Sequence, residues 1–139
     1  MAADFFIDKR LCMVFSKGVG ELTLKDVSWH MDELASHPDF EPMFGQLIDF
    51  RDVSTTPLTG EDIRKLAQRE IFHPHSKRAF VTPTDLQFGL ARMFSMYREN
   101  RGEIGIQIFR DMREALDWLN LAAAPDIRMF PRLYTAEVS

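Results

Sequence analysis

The stretch LIDFRDVSTTPLTGEDIRKL, residues 47–66, decides how this chain reads. Leu47, Ile48, Phe50 and Val53 have the composition of a buried strand. Ser54, Thr55, Thr56 and Pro57 follow with three hydroxyls and a proline, which favours an exposed loop over continued strand pairing. Thr59-Gly60 then opens a helix with Ile63, Leu66, Ala67 and Ile71 inward, and His73-Pro74 stops it. A strand, a polar loop and a helix start in this order bring hydroxyls and free backbone N–H groups to one junction, where function is expected.

Upstream, residues 5–7 and 11–15 flank the polar Asp8-Lys9-Arg10, and Leu11, Met13 and Phe15 alternate with Cys12 and Val14. That predicts a hairpin with Cys12 inside its second strand and a turn at Lys17-Gly18-Val19-Gly20. Leu24, Val27, Met31 and Leu34 fall at spacings of three, four and three, one face of a helix that ends near His37-Pro38. Downstream, Ala79, Phe80 and Val81 form a short buried strand, and Leu86, Leu90, Met93, Phe94 and Tyr97 the stripe of a third helix ending before Gly102. Ile104, Ile106 and Ile108 alternate as a last strand, and Met112, Ala115, Leu116 and Leu119 face inward from a closing helix. The order ββαβαβαβα predicts an α/β domain, a mixed sheet whose parallel βαβ units are covered by helices.

Helix starts carry a repeated signal. Thr23/Asp26, Thr59/Asp62, Thr82/Asp85 and Asp111/Glu114 each set a capping side chain three residues before an acid, and Pro83 suits a first helical position.

At 139 residues and 45% hydrophobic content the chain suits one domain, over residues 1–121, with residues 122–139 as a tail or packing arm. That tail lacks a helical period yet holds Ile127, Met129, Phe130, Leu133 and Tyr134, so a frayed end and an arm docked on the domain or on a second subunit of a homodimer both fit. One cysteine allows no internal disulfide, which favours a reducing, cytoplasmic setting. No run of about 18 apolar residues predicts membrane insertion. Net charge is -4, with 17 basic residues dispersed among 21 acidic ones, so the chain carries no global field for nucleic acid. The local cluster Arg64, Lys65, Arg69, Lys77 and Arg78 reads as a solvated helix face or a docking patch.

Catalytic chemistry finds little support. There is no GxSxG elbow, Cys–His signature or glycine-rich phosphate loop, and Cys12 reads as an inert core thiol. His30 and His37 stand two helical turns apart, and His73-Pro74-His75 has no cysteine or acid cluster beside it, so neither a metal nor another cofactor is expected. Phe50-Arg51-Asp52 and Phe109-Arg110-Asp111 both end predicted strands, where Arg51, Asp52, Arg110 and Asp111 either converge on a crevice or pair locally. Thr59 is a helix cap that also suits a phosphate, since a helix N-terminus tolerates negative charge.

Over about residues 5–121 the chain resembles the STAS domain family, the fold of bacterial anti-sigma factor antagonists, and in particular its SpoIIAA-like branch. The resemblance rests on Leu47-Ile48-Asp49-Phe50, Val53, Thr59-Gly60, the strand and helix opening Ala79 to Pro83, Ile106-Gln107-Ile108-Phe109 and Glu114-Ala115-Leu116. It implies a non-enzymatic regulatory or protein-interaction module whose partner is a kinase or another signalling protein. Thr59 matches the hydroxyl that such a kinase phosphorylates, although Pro57-Leu58 stands where Asp-Ser is usual. Asp52, Ser54, Thr55, Thr56, Gly60 and Arg64 would then form the binding face. Some SpoIIAA-like proteins look like carriers of apolar ligands, and the many Phe and Met residues, Phe88 and Phe94 among them, give the alternative of a small apolar-ligand or lipid-binding domain.

Overall fold

In the computed structural model, which describes residues 2–133, β1 (Ala3–Asp8) and β2 (Met13–Glu21) pair antiparallel, with Ala3 opposite Gly18 and Asp8 opposite Met13. Helix α1 (Leu24–Ser36) leads to β3 (Gly45–Thr55), α2 (Gly60–Leu66) to β4 (Arg78–Val81), and α3 (Asp85–Glu99) to β5 (Ile106–Phe109). Helix α4 (Met112–Leu119) and a single 3-10 turn (Ile127–Met129) follow. The sheet runs β1-β2-β3-β4-β5 and every pair after the first is parallel, so the expected α/β order ββαβαβαβα is the order of the fold.

Strand periodicity divides the sheet into two faces. Phe6, Phe15, Leu47, Ala79 and Val81 pack with Met112, Ala115 and Leu116 of α4 and with Phe130 and Leu133. The alternate positions, Val14, Ser16, Gln46, Ile48, Arg78 and Phe80, face α1, α2 and α3. Up to residue 133 the tail is an arm docked on its own domain: Phe130 is 2% exposed, and Arg132 Nη1 reaches the fully buried Asp4 at 2.8 Å. Tyr134 and the rest of the tail lie outside the described residues.

Several local expectations are corrected. Cys12 is not in a strand but in the hairpin turn, exposed, at φ 54°. Residues 17–20 are not a turn: β2 continues through them with irregular register, and a Cβ on Gly18 would meet Val53 Cγ2 at 2.8 Å, so glycine permits the close approach of β2 and β3. β3 runs on through Ser54 and Thr55, because Glu21 pairs with Thr55 and the Leu22 N–H donates to the Thr55 carbonyl; the loop is only residues 56–58. Helix α2 ends at Leu66, well short of His73-Pro74. Ile104 precedes β5 and is exposed, as is Leu86 on α3.

Thr23 and Thr59 cap their helices with the expected Asp26 and Asp62, and Asp111 accepts the Glu114 N–H at 2.8 Å. The third cap falls elsewhere. Thr82 is fully buried and its N–H donates to the Phe109 carbonyl, prolonging the β4–β5 ladder, so α3 cannot begin until Thr84 caps it with Gln87 as partner.

Candidate functional site

The residues singled out from the sequence are distributed over different environments. The Thr59 hydroxyl accepts the Asp62 N–H at 3.1 Å and the Thr59 N–H donates to Asp62 Oδ2 at 2.9 Å, a complete capping box on an exposed threonine. Arg64 grips Glu61 of its own helix and borders a second hollow with Tyr97 and Arg101. Asp52 lies 2.8 Å from Lys17 Nζ, which also donates to Asp49 at 3.0 Å. Ser54 and Thr55 are exposed on β3, and Gly60 sits against Met93. Of this set only Thr56 lines the principal cleft, where its hydroxyl is buried without a hydrogen-bond partner.

The pair of Phe-Arg-Asp segments does not converge. Arg51 binds Asp49 through Nε and Nη2, both at 3.0 Å, whereas Arg110 binds Asp85 at 2.9 Å and stacks over Phe88. Burial works against the Asp49 carboxylate, but the hydrogen bonds from Arg51 and the charge of Lys17 outweigh it and hold its pKa below the usual value. The basic cluster also separates: Arg69 pairs with Asp32, Lys77 lies over Trp118, and Arg78 is buried. His73 and His75 stack loosely in their turn, and among the described residues no three His, Cys, Asp or Glu side chains are placed to hold a metal.

The principal cleft lies between the sheet and α1, α2 and α3, with a volume of ≈ 140 Å³, and is partly open to solvent. A dry apolar cavity of about this size accepts a benzene ring. Its walls are mainly apolar: Ile48, Phe50 and Phe80 from the sheet, Met31 and Leu34 from α1, Ile63 and Leu66 from α2, Leu90, Ala91 and Phe94 from α3. Ile48 and Phe50 keep partial exposure although they sit in a central strand, because they line this space instead of a filled core. Gln46 and Phe50, four residues apart on β3, set its length at about 13 Å along the strand. Thr56 and Gln87 lie towards one end, and Gln46 and Arg78 towards the other.

That second end holds a polar row absent from the expectations. Arg78 Nε donates to Gln46 Oε1 at 3.0 Å, Gln46 Nε2 donates to Ser16 Oγ at 3.1 Å, and Ser16 Oγ lies 2.7 Å from His30 Nε2. Behind it, Glu103 accepts from Arg78 Nη1 at 2.8 Å and from Arg98 Nε at 2.7 Å, and Arg98 also donates to the Ala67 carbonyl. Arg78 stands 4.3 Å over the Phe72 ring, with Phe80 and Phe94 farther out. Desolvation, reinforced by the positive charge of Arg78 and only partly opposed by Asp4, pulls the His30 pKa down to about 4, so its imidazole is neutral at pH 7. A sequence signal did exist. Ser16, Gln46 and Arg78 occupy inward strand positions among apolar residues, and a polar residue there is a misfit that calls for a partner or a ligand.

The five-stranded mixed sheet with helices on both faces is a SpoIIAA-like fold, the class the resemblance implied. The chain is similar to the crystal structure of an uncharacterized protein from the DUF3478 family with a SpoIIAA-like fold, from Shewanella loihica PV-4, with a TM-score of 0.57 and 24% sequence identity. The similarity covers 85% of this chain and 94% of that one. No family model matches the chain, and no curated protein does. Among the described residues no helix is long and apolar enough to cross a membrane.

Proposed function

We propose that this domain binds a small apolar or amphipathic molecule in the cleft between the sheet and α1–α3, and acts by binding instead of catalysis. The observation that carries this reading is the cleft: ≈ 140 Å³ of space walled by Ile48, Phe80, Ile63, Leu66, Leu90 and Phe94, in a domain whose opposite face is filled. Interior voids of that size forfeit dispersion contacts and are kept where something fills them. Fluorescence titration with the neutral apolar probe N-phenyl-1-naphthylamine tests it. Saturable binding at one site per chain, lost in Leu90→Trp, is expected; no enhancement in the wild type, or equal enhancement in the variant, contradicts it.

A second reading is the regulatory one, a cytoplasmic module that a kinase or other signalling partner addresses at Thr59. It is supported by the exposure of Thr59 and by its place beside Leu58 and Ile63, which line the cleft. A phosphate there would stand next to Asp62, repel it and loosen the cap of α2, so surface modification would reach the cleft wall. A pull-down with wild type and Thr59→Glu tests this: a changed partner set supports the switch, and an unchanged set removes it.

A further inference from the structure

The polar row at one end of the cleft is not saturated. Starting from Arg78, the donors point away from it, Nε to Gln46 and the Gln46 amide to Ser16, and the Ser16 hydroxyl in turn shares a hydrogen bond with His30 Nε2. Nη1 is taken by Glu103. Arg78 Nη2 has no hydrogen-bond partner among the described residues, although Arg78 is only 7% exposed and lines the cleft. The charges are unbalanced as well. Glu103 is shared between Arg78 and Arg98, and His30 adds none, so the group carries one uncompensated positive charge. The Phe72 ring covers one face of the guanidinium but offers its N–H groups no acceptor.

Resting on the reading of the cleft as an apolar-ligand site, we propose that the ligand is an amphipathic monocarboxylate, its carboxylate on Arg78 Nη2 and its hydrocarbon body along Ile48, Phe80, Leu90 and Phe94. A single uncompensated charge matches a monoanion, whereas a phosphate dianion would leave a buried negative charge in its place. Guanidinium and carboxylate form charge-assisted hydrogen bonds, stronger than those a neutral hydroxyl can make at the same nitrogen. Because the cleft is partly open, a hydrocarbon body longer than it can extend into solvent.

The test is calorimetric titration of the full chain at pH 7.5 with octanoate, octan-1-ol and octylamine, which share one hydrocarbon chain and differ in head charge. Octanoate is expected to bind about tenfold tighter than octanol, and the ammonium weaker than either, a difference of the size one charge-assisted hydrogen bond gives. In Arg78→Met the octanoate preference should collapse towards parity while octanol affinity persists. If that variant does not fold, the wild-type ranking alone decides. Octanol binding as well as octanoate overturns the carboxylate and leaves the apolar site standing; no binding of any of the three overturns both.

Discussion

The two faces of the sheet are built from the same strands and yet behave as different materials. On the α4 face, Phe15, Leu47, Ala79 and Val81 pack against Ala115, Leu116, Phe130 and Leu133 in one cluster, and the buried acids there, Asp4 and Asp49, are matched by Arg132 and by Lys17. On the α1–α3 face the apolar residues are split into smaller clusters around a cleft, and the strand positions that should close it are Ser16, Gln46 and Arg78. One face is optimised for burial. The other gives up packing and retains polarity, a defect that costs a small domain stability, and this is the ground for the proposal that places the ligand there.

The comparison breaks most easily at its closed side. Phe130→Ala should cost about 4 kcal/mol in urea denaturation, because a fully buried ring leaves a void that the surrounding α4 and sheet residues cannot fill. A loss under about 1 kcal/mol would mean that the arm does not complete this core. On the open side, Glu103→Gln should cost about 3 kcal/mol, since it strips the shared anion from two buried arginines. Adding octanoate should recover part of that loss if the ligand's carboxylate compensates Arg78.

Acid should act through the open face as well. His30 titrates near 6.5 when unfolded and about 4 when folded, so between these values the unfolded state binds more protons and stability falls as pH is lowered. The loss is absent well above pH 6.5, complete below about pH 4, and amounts to about 3 kcal/mol. His30→Phe should flatten the stability profile across that window in denaturation at several pH values; an unchanged slope would assign the acid sensitivity to other groups.

Smaller effects sharpen the contrast. Ala115→Val on the closed face should cost about 1–2 kcal/mol, as no space receives the added methyls, whereas Leu90→Phe on the open face should be neutral or stabilising because the ring enters the cleft. Equal losses in thermal denaturation would deny that the faces differ. Thr59→Ala should cost about 1 kcal/mol as a cap, a loss local to α2.

Much of the fold was legible because hydrophobic period and turn chemistry are local. The α1 stripe at Met31 and Leu34, the caps at Thr23 and Thr59, and the order of strands and helices needed no knowledge of long-range contacts. Cys12 misled because its neighbours alternate as a strand does, while the left-handed backbone it adopts is set by the hairpin turn. Thr82 misled because a strand hydrogen bond to Phe109 displaced the helix start by two residues. The polar row was hidden for a different reason. Ser16, Gln46, Arg78, Arg98 and Glu103 are spread over 88 positions from first to last, and only the parallel pairing of β2, β3 and β4 brings the first three into one row. The hydroxyl loop drew attention by composition, yet most of its hydroxyls face solvent, and of these only the Thr56 side chain lines the cleft.

The central claim is that the α1–α3 face is the ligand site, and the most direct measurement is a two-dimensional NMR titration of the full chain with octanoate at pH 7.5. The account predicts saturable shifts concentrated at Ser16, Gln46, Ile48, Arg78, Phe80 and Phe94, with the α4 residues Ala115 and Leu116 unmoved. Shifts centred on α4 and the arm, scattered over the exposed surface, or absent at saturation would contradict it.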